Sequence, residues 1–137
     1  MLSRSTNIQK ESSMVINFNP KYIPGDIVYN HKKEIIRITS SYLKGTKLFY
    51  YRDGENGWIR EDAIKPIPLT PEILNKNEWE YDGATWIFKK GNISIFILLD
   101  DKTYAAHLLG VRVLEFHFVH QLQHLLFGLG INHEMEV

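Results

Sequence analysis

The sequence contains no cysteine in its 137 residues. This absence excludes disulfide bonds, thiolate nucleophiles and zinc sites built on cysteine. The chain also lacks any apolar run near the length of about 18 residues that a membrane-spanning helix needs, and its polar opening through Ser13 lacks the apolar centre of a secretory signal. We therefore expect a cytoplasmic protein that has no membrane partner.

The motifs of the common enzyme classes are missing as well. There is no nucleophile elbow, no phosphate-binding glycine loop and no dinucleotide fingerprint. The acidic pair Asp100-Asp101 and the series Glu78, Glu80 and Asp82 fall in predicted turns and edges, where carboxylates serve solubility and turn formation. We therefore expect a non-enzymatic protein with no catalytic residue and no cofactor.

What the chain does have is the composition of a folded domain. It is 44% hydrophobic and 12% aromatic, which lies outside the low-hydrophobicity regime of disordered chains. The net charge is zero, but basic residues exceed acidic ones up to Ile67, and acidic residues exceed basic ones from Pro68 onward. Such a charge split can support self-association, so a homo-oligomer is one expectation.

Residues 20–67 carry the pattern of a small β-barrel. The turn Pro24-Gly25-Asp26 leads into the first of four or five short strands at close spacing. Residues 22–67 resemble SH3-like small barrels, in which a Pro-Gly-Asp turn precedes the first strand. That resemblance implies a fold and no activity. Residues 1–19, which precede this region, form a polar tail for which disorder is one expectation.

Residues 68–137 predict a short helix, an antiparallel sheet and a C-terminal helix. Thr70-Pro71-Glu72 combines a capping hydroxyl, a first-turn proline and an acid, which is typical of a helix start. Alternating apolar segments then predict strands, and apolar residues recur at helical spacing between Val119 and Leu129. The predicted fold class is α+β: an N-terminal SH3-like small β-barrel joined to an antiparallel sheet of three or four strands, packed by one C-terminal amphipathic helix.

The stretch FHFVHQLQH, residues 116–124, holds three of the six histidines. On a helical wheel, His117, His120 and His124 fall opposite the apolar positions, so we expect them to face away from the core. His120 and His124 are spaced so that two imidazoles can share a metal ion. Gln121 occupies the position of the glutamate in zinc-protease helices, and glutamine cannot act as a general base.

We therefore predict that this stretch is an interaction face rather than a metal site. The predicted interaction face comprises His117, His120, Gln121 and His124. A metal site formed by His120, His124 and His117 is the alternative. We also expect stability to fall as the pH drops through about 6.5, because protonation of clustered histidines creates repulsion.

A second candidate surface lies in the barrel half. Basic residues alternate there with aromatic ones, a combination that binds nucleotides or single-stranded nucleic acid. Only about half of the aromatic side chains on a strand can be exposed, because alternate residues face the core. The predicted binding residues are Lys32, Lys33, Arg37, Tyr42, Lys47, Tyr50, Arg52 and Trp58.

Two segments of the second half carry a further resemblance. IPLTPEIL at residues 67–74 and VHQLQHLLFGLGINHE at residues 119–134 resemble a group of uncharacterised short proteins encoded in gut Bacteroidetes genomes, prophages and phages. The resemblance covers roughly residues 60–137 and transfers no catalytic residue. It implies a phage or prophage protein, a setting in which small accessory proteins often bind a host factor or sequester a nucleotide signal used in defence.

We therefore expect a non-enzymatic binding or inhibitor protein that captures a host protein, with an anti-defence role as one expectation. Binding of a nucleotide signal or of nucleic acid through the basic aromatic barrel is the first alternative. Binding of a metal through histidines is the second.

Overall fold

The computed structural model describes residues 20–54 and 57–137. The predicted polar tail, residues 1–19, lies outside the described residues. The described chain forms two antiparallel sheets, of four and five strands, with a helix near its C-terminal end. The α+β fold class is confirmed.

The four-stranded sheet has the order β1-β2-β3-β4 and a half-barrel shape. A 3-10 helix, Glu61–Ala63, follows its last strand. The chain then pairs back onto the first strand through a bridge between Tyr29 and Lys65, which curls the sheet toward closure. The strands are β1 (Ile27–Tyr29), β2 (Ile35–Lys44), β3 (Lys47–Arg52) and β4 (Ile59–Arg60).

The second sheet is a meander of five strands in sequential order. The predicted number of three or four strands is wrong, because the edge strand Glu80–Asp82 has the sequence of an acidic turn. Leu99 is fully exposed, because it follows the end of the strand that carries the buried residues Ile93 and Ile95. The strands are β5 (Glu80–Asp82), β6 (Ile87–Lys90), β7 (Ile93–Ile97), β8 (Tyr104–Leu108) and β9 (Val111–Phe116).

Two α-helices accompany the second sheet. Helix α1 (Pro71–Lys76) begins as predicted, since the Thr70 side-chain oxygen accepts a hydrogen bond from the Ile73 N–H at 3.2 Å. Helix α2 (Val119–Gly128) directly follows β9. Among the helices of the described residues, none is long and apolar enough to cross a membrane.

Two hydrophobic clusters form the interior, and β1 contributes to both. Val28 belongs to the smaller cluster inside the half-barrel, together with Tyr22 and Tyr50. Ile27 belongs to the larger cluster, which fills the space between the five-stranded sheet and α2. Because neighbouring residues of a strand face opposite sides, β1 lies between the two clusters and contributes a side chain to each. Helix α2 therefore packs against the half-barrel as well as against the second sheet.

Candidate functional site

Three aromatic rings contact one another on the outer side of the half-barrel. Tyr42 comes from β2, Tyr51 from β3, and Trp58 immediately precedes β4. The ring centroid of Trp58 lies 4.7 Å from that of Tyr42 and 3.3 Å from that of Tyr51, the latter pair being stacked. We call Tyr42, Tyr51 and Trp58 the aromatic patch.

The strand register explains why these rings lie together. Tyr42 pairs with Phe49, and Ser40 pairs with Tyr51, so Tyr42, Phe49 and Tyr51 share one face of the β2–β3 ladder. The intervening Tyr50 points the opposite way, into the barrel core, where it is fully buried. The alternation of strand side chains thus places one of two consecutive tyrosines in solvent and the other in the interior.

The aromatic patch borders an open cleft of about 460 Å³, which Lys44 and Phe49 also line. Tyr42 is 45% exposed and Tyr51 is 37% exposed, while Trp58 is half-buried. An aromatic ring that stays in solvent does not gain the hydrophobic free energy that its burial would provide. Clustered, partly exposed tyrosine and tryptophan side chains are typical of surfaces that bind another molecule.

Two lysines stand beside the patch at the end of the β2–β3 hairpin. Lys44 lines the cleft, and Lys47 is its cross-strand partner. Two acids, Glu61 and Asp62, line a shallow cleft together with Lys47 and Arg60. Asp62 accepts a hydrogen bond from Arg60 at 2.8 Å, and Glu61 accepts one from the buried Tyr50 hydroxyl. Within residues 20–54 and 57–137, no ion pair joins Lys44 or Lys47 to a carboxylate. The described charged side chains at this end are Lys44, Lys47 and Arg60 against Glu61 and Asp62, an excess of one positive charge.

The structure brings together three of the predicted barrel residues, namely Tyr42, Lys47 and Trp58. The prediction for Tyr50 is wrong, because its side chain is in the core and its hydroxyl bonds to Glu61. Arg52 ends β3 and is half-buried opposite Ile38. Tyr50 therefore cannot form part of a surface that stacks on a ligand.

The other predicted basic residues lie at the far end of β2. Lys32 and Lys33 are exposed in the turn between β1 and β2, and the Nε of Arg37 lies 3.5 Å from the Oδ2 of Asp53. Arg37 and Tyr42 are five residues apart on one strand, which corresponds to roughly 16 Å. The predicted basic aromatic surface is thus divided into two separate regions.

The expectation that all three histidines face away from the core is wrong for His120. This residue is 4% exposed, with its ring edge-on to Tyr22 at 5.0 Å and stacked with Phe118 at 6.0 Å. A helical wheel assumes one buried face, whereas α2 has the sheet on one side and the half-barrel on another. Burial lowers the pKa of His120 to about 4, and the neighbouring His124 adds to this shift.

His124 is also engaged by the half-barrel. Its Nε2 lies 2.6 Å from the Oδ2 of Asp26, whose side chain is fully buried. The same carboxylate oxygen accepts a hydrogen bond from the Ile23 N–H at 2.9 Å. His124 therefore holds α2 to the turn that enters β1.

Gln123 completes this attachment. Its side chain is fully buried, and its Oε1 accepts a hydrogen bond from the Ile27 N–H at 2.9 Å. Its Nε2 donates to the carbonyl oxygens of Gly25 and His133, each at 2.9 Å. One amide thus joins the half-barrel, α2 and the C-terminal segment. We call Asp26, His120, Gln123 and His124 the polar junction.

The remaining residues of the predicted interaction face lie at the start of α2. The Gln121 Oε1 accepts hydrogen bonds from the backbone N–H groups of His117 and Phe118, at 2.9 and 3.0 Å, and so caps the helix. His117 is exposed, with its Nδ1 3.2 Å from the Lys102 carbonyl oxygen. In the part of the chain that the structure describes, no group of three or more metal-binding side chains is arranged to hold an ion.

Three buried polar atoms lie at or beside the polar junction without a hydrogen-bond partner among the described residues. They are the Tyr22 hydroxyl, the Asp26 Oδ1 and the His120 Nδ1. Burial raises the pKa of Tyr22 to about 12, with the negative charges of Glu61 and Asp26 adding to the effect. A buried polar atom without a hydrogen-bond partner lowers the stability of the fold. Protonation or substitution in the polar junction should therefore change the free energy of unfolding.

Four residues of these two sites are missing from the residues predicted on sequence: Tyr51, Lys44, Gln123 and Asp26. Tyr51 and Lys44 follow from strand alternation once Tyr42 is assigned to the outer face, so their signal is the register between β2 and β3. Gln123 had a weaker signal, as a polar residue that directly follows the buried Leu122. Asp26 had none beyond its place in a turn, because its partner lies 98 positions away.

No protein-family model, no curated protein and no solved structure matches this chain.

Proposed function

We propose that this chain is a non-enzymatic binding protein whose ligand docks on the aromatic patch. The observation that carries the proposal is that Trp58 contacts both Tyr42 and Tyr51 and that all three residues line an open cleft. A monomeric domain of this size has a core in which such rings could be buried, and here they line a concave surface instead. Aromatic anchors in a cleft are the usual energetic centre of a binding surface.

The aromatic patch is a better candidate than the predicted histidine face. His120 is buried, and His124 is bonded to Asp26 at 2.6 Å, so both side chains serve the attachment between the two halves. Gln121 is engaged in capping α2. His117 remains exposed, and Gln121 and His124 line an open cleft, but the last two side chains are already hydrogen-bonded within the fold, whereas the rings of Tyr42 and Tyr51 are exposed.

The finer description of the fold that we propose is an SH3-like barrel. The order of four short strands, the 3-10 helix after β4 and the return of the chain to β1 support it. Phage or prophage origin, a cytoplasmic location, capture of a host protein and an anti-defence role stay predictions that rest on the sequence resemblance. A homo-oligomer likewise stays a prediction.

Capture from the cell tests whether the aromatic patch is the binding surface. The tagged protein is cross-linked in its native cells and compared with Trp58→Ala and with Trp86→Ala, a matched control. Trp86 is 71% exposed and lies just before β6, in the other half of the molecule. We expect Trp58→Ala to lose about tenfold or more of the captured ligand, because truncation of a central aromatic anchor commonly costs this much.

The control should retain the same molecules in the same amounts as the unchanged protein. Thermal unfolding of each variant verifies that it is folded, and Tyr42→Ser replaces Trp58→Ala if the latter is not. Equal capture by all folded variants would place the binding surface elsewhere and overturn the proposal.

A further inference from the structure

This inference rests on the proposed function: we propose that the ligand of the aromatic patch is single-stranded nucleic acid. Bases would stack on the exposed rings of Tyr42 and Tyr51, and phosphates would contact Lys44 and Lys47. The aromatic patch supplies the stacking platform, and the hairpin end supplies the positive charge. These are the two elements from which single-strand binding surfaces are built.

The rings are suited to stacking. Trp58 contacts both tyrosines, and it is the less exposed of the three. Its contacts hold the rings of Tyr42 and Tyr51, which are the two more exposed residues of the patch. A ring held by a neighbour loses little conformational freedom when a base stacks on it, so the surface is partly preorganised.

The lysines lie within reach of a nucleotide stacked on the patch. Tyr42 and Lys44 are two residues apart on β2, which corresponds to about 7 Å and places both side chains on one face. Lys47 faces Lys44 across the hairpin. Two flexible ammonium groups therefore stand next to the aromatic rings, at a distance that suits a base and the phosphates attached to it.

The charge of the cleft favours an anion over a proline-rich or basic peptide. Among residues 20–54 and 57–137, those that line it are four aromatic residues and Lys44, with no carboxylate. The nearby Asp62 is paired with Arg60. A proline-rich peptide would gain from the rings alone and would leave both lysines without a partner, whereas nucleic acid uses the rings and the charges together.

The same surface predicts the mode of recognition. The described residues that line the cleft offer aromatic rings and the Lys44 ammonium group, and none of them is an asparagine, glutamine or arginine that could read the edges of bases. We therefore expect little sequence preference and a preference for single strands, because paired bases in a duplex cannot stack on these rings.

Fluorescence anisotropy of a labelled oligothymidine tests the inference at several salt concentrations. We expect Tyr42→Ala to weaken binding about tenfold and the double change Lys44→Ala, Lys47→Ala to weaken it at low salt. Loss of two phosphate contacts should also reduce the slope of log affinity against log salt by about 1.4, since each contact contributes about 0.7 for single strands. Binding of the duplex should be at least tenfold weaker.

The matched control is the double change Lys32→Ala, Lys33→Ala, which removes two exposed lysines at the far end of the half-barrel. We expect it to alter affinity by less than twofold. Equal effects of the two lysine pairs, equal affinity for duplex and single strand, or no oligothymidine binding at low salt would each overturn the inference. If Trp58→Ala nevertheless abolishes capture of a protein from cells, the proposed function stands with a protein as its ligand.

Discussion

The aromatic patch and the polar junction invert the usual placement of side chains in a folded protein. In the aromatic patch, the rings of Tyr42 and Tyr51 remain exposed on the outer face of the four-stranded sheet. In the polar junction, an aspartate, two histidines and a glutamine are withdrawn from water, fully or in part, between α2 and the half-barrel. The aromatic patch thus retains surface that a ligand could bury, whereas Asp26, Gln123 and His124 in the polar junction already form hydrogen bonds between the two halves.

The two regions should therefore respond differently to substitution. Changes in the polar junction should lower stability, because buried polar groups lose their partners. Changes in the aromatic patch should leave stability nearly unaltered and act on binding.

The largest effect is expected for Gln123→Leu. The change leaves the Ile27 N–H and the carbonyl oxygens of Gly25 and His133 without the partner they have in the folded protein. Each unsatisfied buried group costs about 1–3 kcal/mol, so the free energy of unfolding should fall by roughly 3 kcal/mol or more. Urea denaturation measures this fall.

Gln121→Leu on the same helix is the control for that change. It removes the two N-terminal capping hydrogen bonds and should cost about 1 kcal/mol. A Gln123→Leu protein no less stable than the Gln121→Leu protein would contradict the view that this amide joins the two halves.

A second effect concerns pH and arises from His120. Its folded-state pKa of about 4 lies below the ordinary value of 6.5, so the unfolded chain takes up the proton first. The free energy of unfolding should therefore fall as the pH drops from about 6.5 toward 4, by roughly 3 kcal/mol in total. The direction agrees with the expectation from the sequence, but the leading cause is burial rather than repulsion among three rings.

Denaturation of the unchanged protein and of His120→Phe at pH 7, 6, 5 and 4 measures this contribution. Phenylalanine keeps an aromatic ring between Tyr22 and Phe118 and does not titrate. The loss of stability over this range should be smaller in the variant. Identical pH dependence in both proteins would mean that His120 takes up its proton equally in the folded and unfolded states.

The smallest effect on stability is expected for Tyr42→Ser. The ring is 45% exposed on an uncovered face, so its removal should change the free energy of unfolding by less than about 0.5 kcal/mol. Tyr50→Ser, on the neighbouring strand, removes a fully buried ring and should cost about 3 kcal/mol or more. Comparable losses in the two variants would show that the aromatic patch is part of the core.

Local patterns predicted the elements well where a chemical signal marks them. Thr70 and Pro71 start α1, and the apolar spacing after Phe118 matches α2. The sequence does not predict the short strand β5, because its acidic residues are also typical of a turn. The sequence predicts Tyr42, Lys47 and Trp58 for the aromatic surface of the barrel. It also predicts Tyr50, where the structure exposes Tyr51 instead, since a shift of one residue in register exchanges the two faces of a strand.

The sequence by itself determined the alternation of side chains along the strands, the start of α1 and the absence of cysteine chemistry, because these depend on residues close together in the chain. Tertiary structure alone decided that His120 is buried and that Asp26, 98 positions before His124, becomes its partner. It also decided that Tyr42, Tyr51 and Trp58 meet at one cleft. The physical reason is that burial and pairing depend on which surfaces pack together, and α2 packs against two of them at once.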